Sequence, residues 1–108
     1  MPESEPTKLS NIHPGEILRE DYLEYLDLSP YRLAKELNIP QTRISAILHG
    51  ERGITADTAM RLAQYFRTSP QFWMRLQDGY ELEKVRRTKG AEIERIKPLD
   101  QQGRKDEN

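Results

Sequence analysis

The sequence predicts an all-α fold of five helices, and three observations carry that prediction. Apolar residues recur at i, i+3 and i+4 through five separate stretches, and no stretch alternates strictly enough to read as a strand. Three of the stretches open on a capping residue followed by proline: His13-Pro14, Ser29-Pro30 and Ser69-Pro70. Proline suits the first helical position because its missing N–H would have had no partner there. The second and third stretches lie only three or four residues apart, between Ser29 and Gly50.

The first helix is entered at His13-Pro14, with Ile12 and Ile17 placed to staple its start. It is expected to run to about Leu26, burying Leu18, Tyr22 and Leu26 with help from Ile17 and Tyr25. Ser29 caps the second, which carries Leu33, Ala34 and Leu37 inward and stops near Asn38. Asparagine is the next choice after glycine where a tight bend needs a left-handed residue. The third helix begins at Pro40 or Gln41, buries Ile44, Ile47 and Leu48, and closes at His49-Gly50. Thr55 caps the fourth, with Ala59, Leu62, Ala63 and Phe66 inward. The fifth, from Ser69-Pro70, carries Phe72, Trp73, Leu76 and Tyr80 at turn-like intervals and ends near Lys89. Residues 1–11 read as a flexible leader, 12–89 as the folded domain and 90–108 as a polar tail whose order depends on a partner.

Of the 108 residues, 35% are hydrophobic and 32% charged, which suits one small domain with a modest core and a heavily charged surface. There is no cysteine, which excludes disulfides, thiolate metal sites and a cysteine nucleophile. No run of about 18 apolar residues and no basic-then-apolar leader is present, so a cytoplasmic protein without a membrane partner is expected. The net charge of −1 is segregated rather than even. Glu16, Glu20, Asp21, Glu24 and Asp27 stand against Arg19 alone in the first helix. Arg32, Lys35, Arg43 and Arg52 outnumber Glu36 and Glu51 in the next two. A second basic cluster, Lys84, Arg86, Arg87 and Lys89, follows later. The acidic first helix reads equally as a solvated face or as a surface for a basic partner.

Two short helices joined so tightly form a helix-turn-helix, whose second helix can lie in the DNA major groove. Its first turn offers Gln41, Thr42, Arg43 and Ser45 around a buried Ile44. Arginine can bond guanine bidentately, glutamine can pair with adenine, and threonine can touch a thymine methyl. These four are therefore the candidate base-reading residues. Tyr31, Arg32, Lys35, Arg52 and Thr55, at the edges of the pair, are the candidates for positioning phosphates. A dimer would set two reading helices about 34 Å apart on a palindromic operator. Phe72, Trp73 and Tyr80 of the fifth helix are candidates for the two-fold contact; alternatively Trp73 and Leu76 close the monomer's own core. Catalysis has no footing. His13 and His49 lack metal-ligand spacing, and there is neither a phosphate-binding glycine loop nor a nucleophile motif, so no metal and no cofactor is expected.

His13-Pro14-Gly15-Glu16, Tyr31-Arg32-Leu33-Ala34, the run Arg52-Gly53-Ile54-Thr55-Ala56-Asp57-Thr58-Ala59 and Ser69-Pro70-Gln71-Phe72-Trp73 together resemble the HigA family. These are antitoxins with a lambda repressor-like helix-turn-helix domain of the Cro/C1 (XRE) type. The resemblance covers residues 12 to about 88. It implies an antitoxin of a type II toxin-antitoxin system that neutralises a HigB/RelE-like, mRNA-cleaving toxin and represses its own operon as a homodimer on double-stranded DNA. It carries Gln41, Thr42, Arg43 and Ser45 over as base-reading positions. The chain departs from related repressors in having Pro30 where they usually place a glutamine, and Asn38 where the bend usually has glycine. Two other readings compete: a stand-alone XRE-type transcriptional regulator with no toxin, and a protein-interaction adaptor that has lost DNA binding.

Overall fold

The computed structural model describes residues 10–100; residues 1–9 and 101–108, and the leader and tail expectations that fall on them, lie outside. Among the described residues five helices follow one another, with no strand. The first, α1, spans Pro14–Ile17 and continues in π-helical winding over Leu18–Glu24. The others are α2 (Pro30–Leu37), α3 (Gln41–Leu48), α4 (Ala56–Phe66) and α5 (Pro70–Glu94).

Four starts are capped as the residue types predict. The His13 ring accepts from the Gly15 N–H at 2.8 Å, and Ser29 and Ser69 accept from Arg32 and Phe72 N–H, each at 3.0 Å. Thr55 accepts from Thr58 N–H at 3.3 Å. Each such bond occupies one of the donors a helix start leaves without a partner. Asn38 takes the left-handed conformation at φ 58°, ψ 47°, which ends α2 and turns the chain into α3.

These short helices bury one shared core. α1 packs on α3 and α5, α2 on α3 and α4, and α4 on α5. Leu18, Leu33, Ile44, Ile47, Leu62 and Trp73 lie at its centre. Tyr22, Phe66, Phe72 and Trp73 form an aromatic wall, with ring centroids 4.8 Å apart for Tyr22–Phe66 and 5.0 Å for Tyr22–Trp73. The Trp73 N–H donates to Thr68 Oγ1 at 2.8 Å, so the indole is buried with its one polar group satisfied.

The structure departs from the sequence reading at three places. In α1 the buried leucines are Leu18 and Leu23, while Leu26 is half exposed and Tyr25 83% exposed. Residues five apart sit about 140° apart on an α-helix, whereas i→i+5 winding brings them back to one side, and this is the winding found there. At the ends, Ser10 and Asn11 of the expected leader are tied in, and the start of the expected tail is helical. Asn11 Nδ2 donates to the Tyr80 carbonyl at 3.0 Å, and Arg87 donates to the Ser10 carbonyl at 3.2 Å. α5 runs through Gly90 to Glu94 rather than ending near Lys89. Third, Trp73, a candidate for the two-fold contact, takes its alternative place in the core and is fully buried, so it has no surface to offer a second copy.

Candidate nucleic-acid interface

Ile44, Ile47 and Leu48 are buried beneath α3, and this fixes which residues face out. Gln41 and Thr42 are exposed, Arg43 and Ser45 partly so. Pro40 precedes the helix without a side-chain cap, and the backbone bonding starts with Arg43 and Ile44 N–H donating to the Pro40 carbonyl. At the far end Ser45 and His49 are joined, with His49 Nδ1 lying 2.8 Å from the Ser45 carbonyl.

The bend and the helix end are held by charged side chains from elsewhere. Arg61 of α4 donates to the Leu37 carbonyl at 3.0 Å while paired to Asp57 at 3.0 Å. Arg19 of α1 donates to the Leu48 carbonyl at 3.1 Å and is paired with Glu20. A Cβ on Gly15 would run into the Ile47 carbonyl oxygen, so glycine there allows α1 to lie directly on the end of α3.

Two adjoining concavities lie between the start of α3 and the loop that follows it. One is lined by Pro40, Thr42, Arg43 and Arg52, the other by Arg43, Arg52, Gly53, Thr55 and Thr58. Neither is lined by a carboxylate, and Arg43 and Arg52 make no ion pair among the described residues. The fold thus brings Thr42 and Arg43 of the base-reading set together with Arg52 and Thr55 of the phosphate set. It does not bring Tyr31, Arg32 or Lys35 into either hollow. All three are exposed on α2, and Arg32 lies 3.7 Å from Glu36. The first turn of this surface is cationic and open, which suits an anionic polymer better than a small enclosed ligand.

Of the three dimer candidates, Phe72 and Tyr80 each keep part of their surface exposed. Trp73 is in the core, and the Tyr80 ring stands edge-on to His13 at 4.8 Å. The exposed apolar residues of α5 lie further along: Leu82, Val85 and Ile93.

Three residues that position the site escaped the sequence reading. Arg19 and Arg61 were each visible only as charges, although Arg19 is the sole cation in an acidic run. Gln77 gave no signal: it is 8% exposed, and its Oε1 accepts from Ile54 N–H at 2.7 Å. His13 does more than cap α1. Its ring lies against Gly50 and has its pKa lowered, chiefly because burial penalises the charged form.

A Helix-turn-helix family model matches residues 21–73. Virulence-associated protein I of Dichelobacter nodosus is 48% identical over 88 residues, which make up 82% of this chain and 81% of that protein. Among solved structures, the Pseudomonas aeruginosa antitoxin HigA with higBA promoter superposes with a TM-score of 0.81 at 44% identity, covering 84% of this chain and all of that one. An addiction module antidote protein of the HigA family from Coxiella burnetii gives 0.79 at 48% identity, covering 82% and 98%. No helix among the described residues is long and apolar enough to cross a membrane.

Proposed function

The chain belongs to the HigA family of helix-turn-helix antitoxins, and from that premise we propose that it represses its own operon and neutralises a HigB/RelE-like ribonuclease toxin. The observation that carries the DNA half is the pairing of Arg43 with Arg52 in one open hollow, over a turn held rigid from below by Ile44. Arg43 is assigned to a guanine edge, Gln41 to adenine and Thr42 to a thymine methyl, with Ser45 at the rim. Arg52 and the exposed Thr55 take the flanking phosphates; Lys35, Tyr31 and Arg32 lie further out and add charge without sequence preference.

Operators read by such domains are palindromic, so a second copy is required. The dimer contact is assigned to Leu82, Val85 and Ile93 in place of Trp73. Leu82 and Ile93 stand eleven residues apart, close to three full helical turns, and so share a side of α5 with Val85 next to them. The toxin half draws its support from family membership.

Co-expression tests it. The product of the neighbouring open reading frame should arrest growth alone and cease to do so with this chain. Growth arrest that persists despite co-expression, together with salt-sensitive binding to the upstream DNA, would leave a stand-alone regulator. Absence of any salt-sensitive DNA binding would contradict the repressor assignment.

A further inference from the structure

The loop between α3 and α4 carries Arg52 and Thr55, yet residues 49–55 have no regular structure of their own. Its backbone is gripped from outside at two places. Near its start, Gly50 at φ +77° lies beside the His13 ring, to which an added Cβ would come within 3.7 Å. Near its end, the Ile54 N–H donates to Gln77 Oε1, 23 residues away on α5. Gln77 spends its own N–H on Glu81 Oε2 at 2.8 Å. Gly53 makes room for this, since a Cβ there would come 2.6 Å from Gln77 Nε2.

Gln77 lies one helical turn beyond Trp73, on the buried side of α5. An apolar residue would be the cheaper occupant, because a buried amide costs free energy unless both its ends are bonded. Both ends are bonded, and the acceptor end is given wholly to the loop. We propose, building on the DNA-reading assignment above, that Gln77 is a positioning residue for DNA binding. Its amide fixes the loop backbone so that Arg52 meets a phosphate while Arg43 meets a base. α5 thereby becomes part of the DNA-reading apparatus without touching DNA.

The test uses the full chain and a duplex carrying the DNA immediately upstream of its own coding sequence. Affinity is measured across a salt series, below every melting temperature, for the wild type, Arg43→Ala, Arg52→Ala, Gln77→Met and the Gln77→Met/Arg52→Ala double. Gln77→Met is expected to bind roughly tenfold more weakly, with a log–log salt slope shallower by about 0.9, the share of one phosphate. In the Arg52→Ala background it should have no further effect. The exchanged pair, Gln77→Glu with Glu81→Gln, keeps both hydrogen bonds with donor and acceptor reversed across the pair, and should restore the wild-type slope. That pair decides the matter if Gln77→Met does not fold: a slope as shallow as that of Arg52→Ala overturns the proposal. An unchanged slope in Gln77→Met, or effects that add to those of Arg52→Ala, also overturns it. If Arg43→Ala and Arg52→Ala both bind as the wild type does, the DNA reading itself falls and takes this proposal with it.

Discussion

The two ends of α3 are held in opposite ways. At the C-terminal end, α1 grips the helix directly: Arg19 donates to the Leu48 carbonyl, the Gly15 backbone lies against the Ile47 carbonyl, and His13 packs on Gly50. At the N-terminal end there is Pro40, which brings no cap, and then exposed Gln41 and Thr42. The root of the helix is gripped by α1, while its first turn is anchored only from below, by Ile44 and by Arg61 at the bend, and its outward side chains are left to a partner. A reading helix needs both, since side chains that must meet base edges lose affinity if their backbone is free to move.

Substitutions at the two ends should therefore fail differently. Gly15→Ala is expected to have the largest effect, because its Cβ meets backbone rather than a side chain that could swing away. Thermal or urea unfolding should show a loss of about 3 kcal/mol, the upper part of the overpacking range. Arg43→Ala should instead leave unfolding unchanged and cost about 2 kcal/mol of operator affinity. Arg19→Ala comes next. It removes the bond to the Leu48 carbonyl, and denaturation should register about 1 kcal/mol.

The smallest effect is in pH. Folding lowers the His13 pKa from its ordinary 6.5, chiefly by burial; Glu81, the Arg52 backbone and Glu16 oppose that shift, and Lys84 adds to it. The folded state then binds fewer protons than the unfolded one, so the His13 contribution is complete above about pH 6.5 and lost as pH falls through the folded value. His13→Asn keeps a capping side chain without the titration. Its melting temperature should fall less than that of the wild type on going from about pH 6.5 to 5.5, a window above most carboxylate titrations. Equal falls would remove His13 from the account.

The features that were legible in the sequence are local. Ser29, Thr55 and Ser69 cap helices through bonds spanning three residues, and the bend at Asn38 follows from one residue's tolerance of positive φ. The inward–outward division of α3 follows from the spacing of Ile44, Ile47 and Leu48. The features that were missed depend on partners far along the chain: Arg19 on Leu48, Arg61 on Leu37, Gln77 on Ile54. No window of a single helix contains those pairs. The length of α5 was missed for a different reason. Glycine ends a helix when it turns left-handed, but Gly90 does not, and a glycine inside a helix costs only about 1 kcal/mol against alanine. Ala91 to Glu94 carry the helix on. Trp73 was legible as an anchor but not as to what it anchors, since the same aromatic at the same spacing serves a core or an interface.

The most direct test of the central claim is a guanine-by-guanine substitution of the operator with deazaguanine, which lacks the N7 acceptor that a bidentate arginine requires. The account predicts one guanine in each half-site where the wild-type chain loses affinity and the Arg43→Ala chain does not. Identical profiles for the two proteins would show that Arg43 touches no guanine edge, and would contradict the placement of α3 in the major groove.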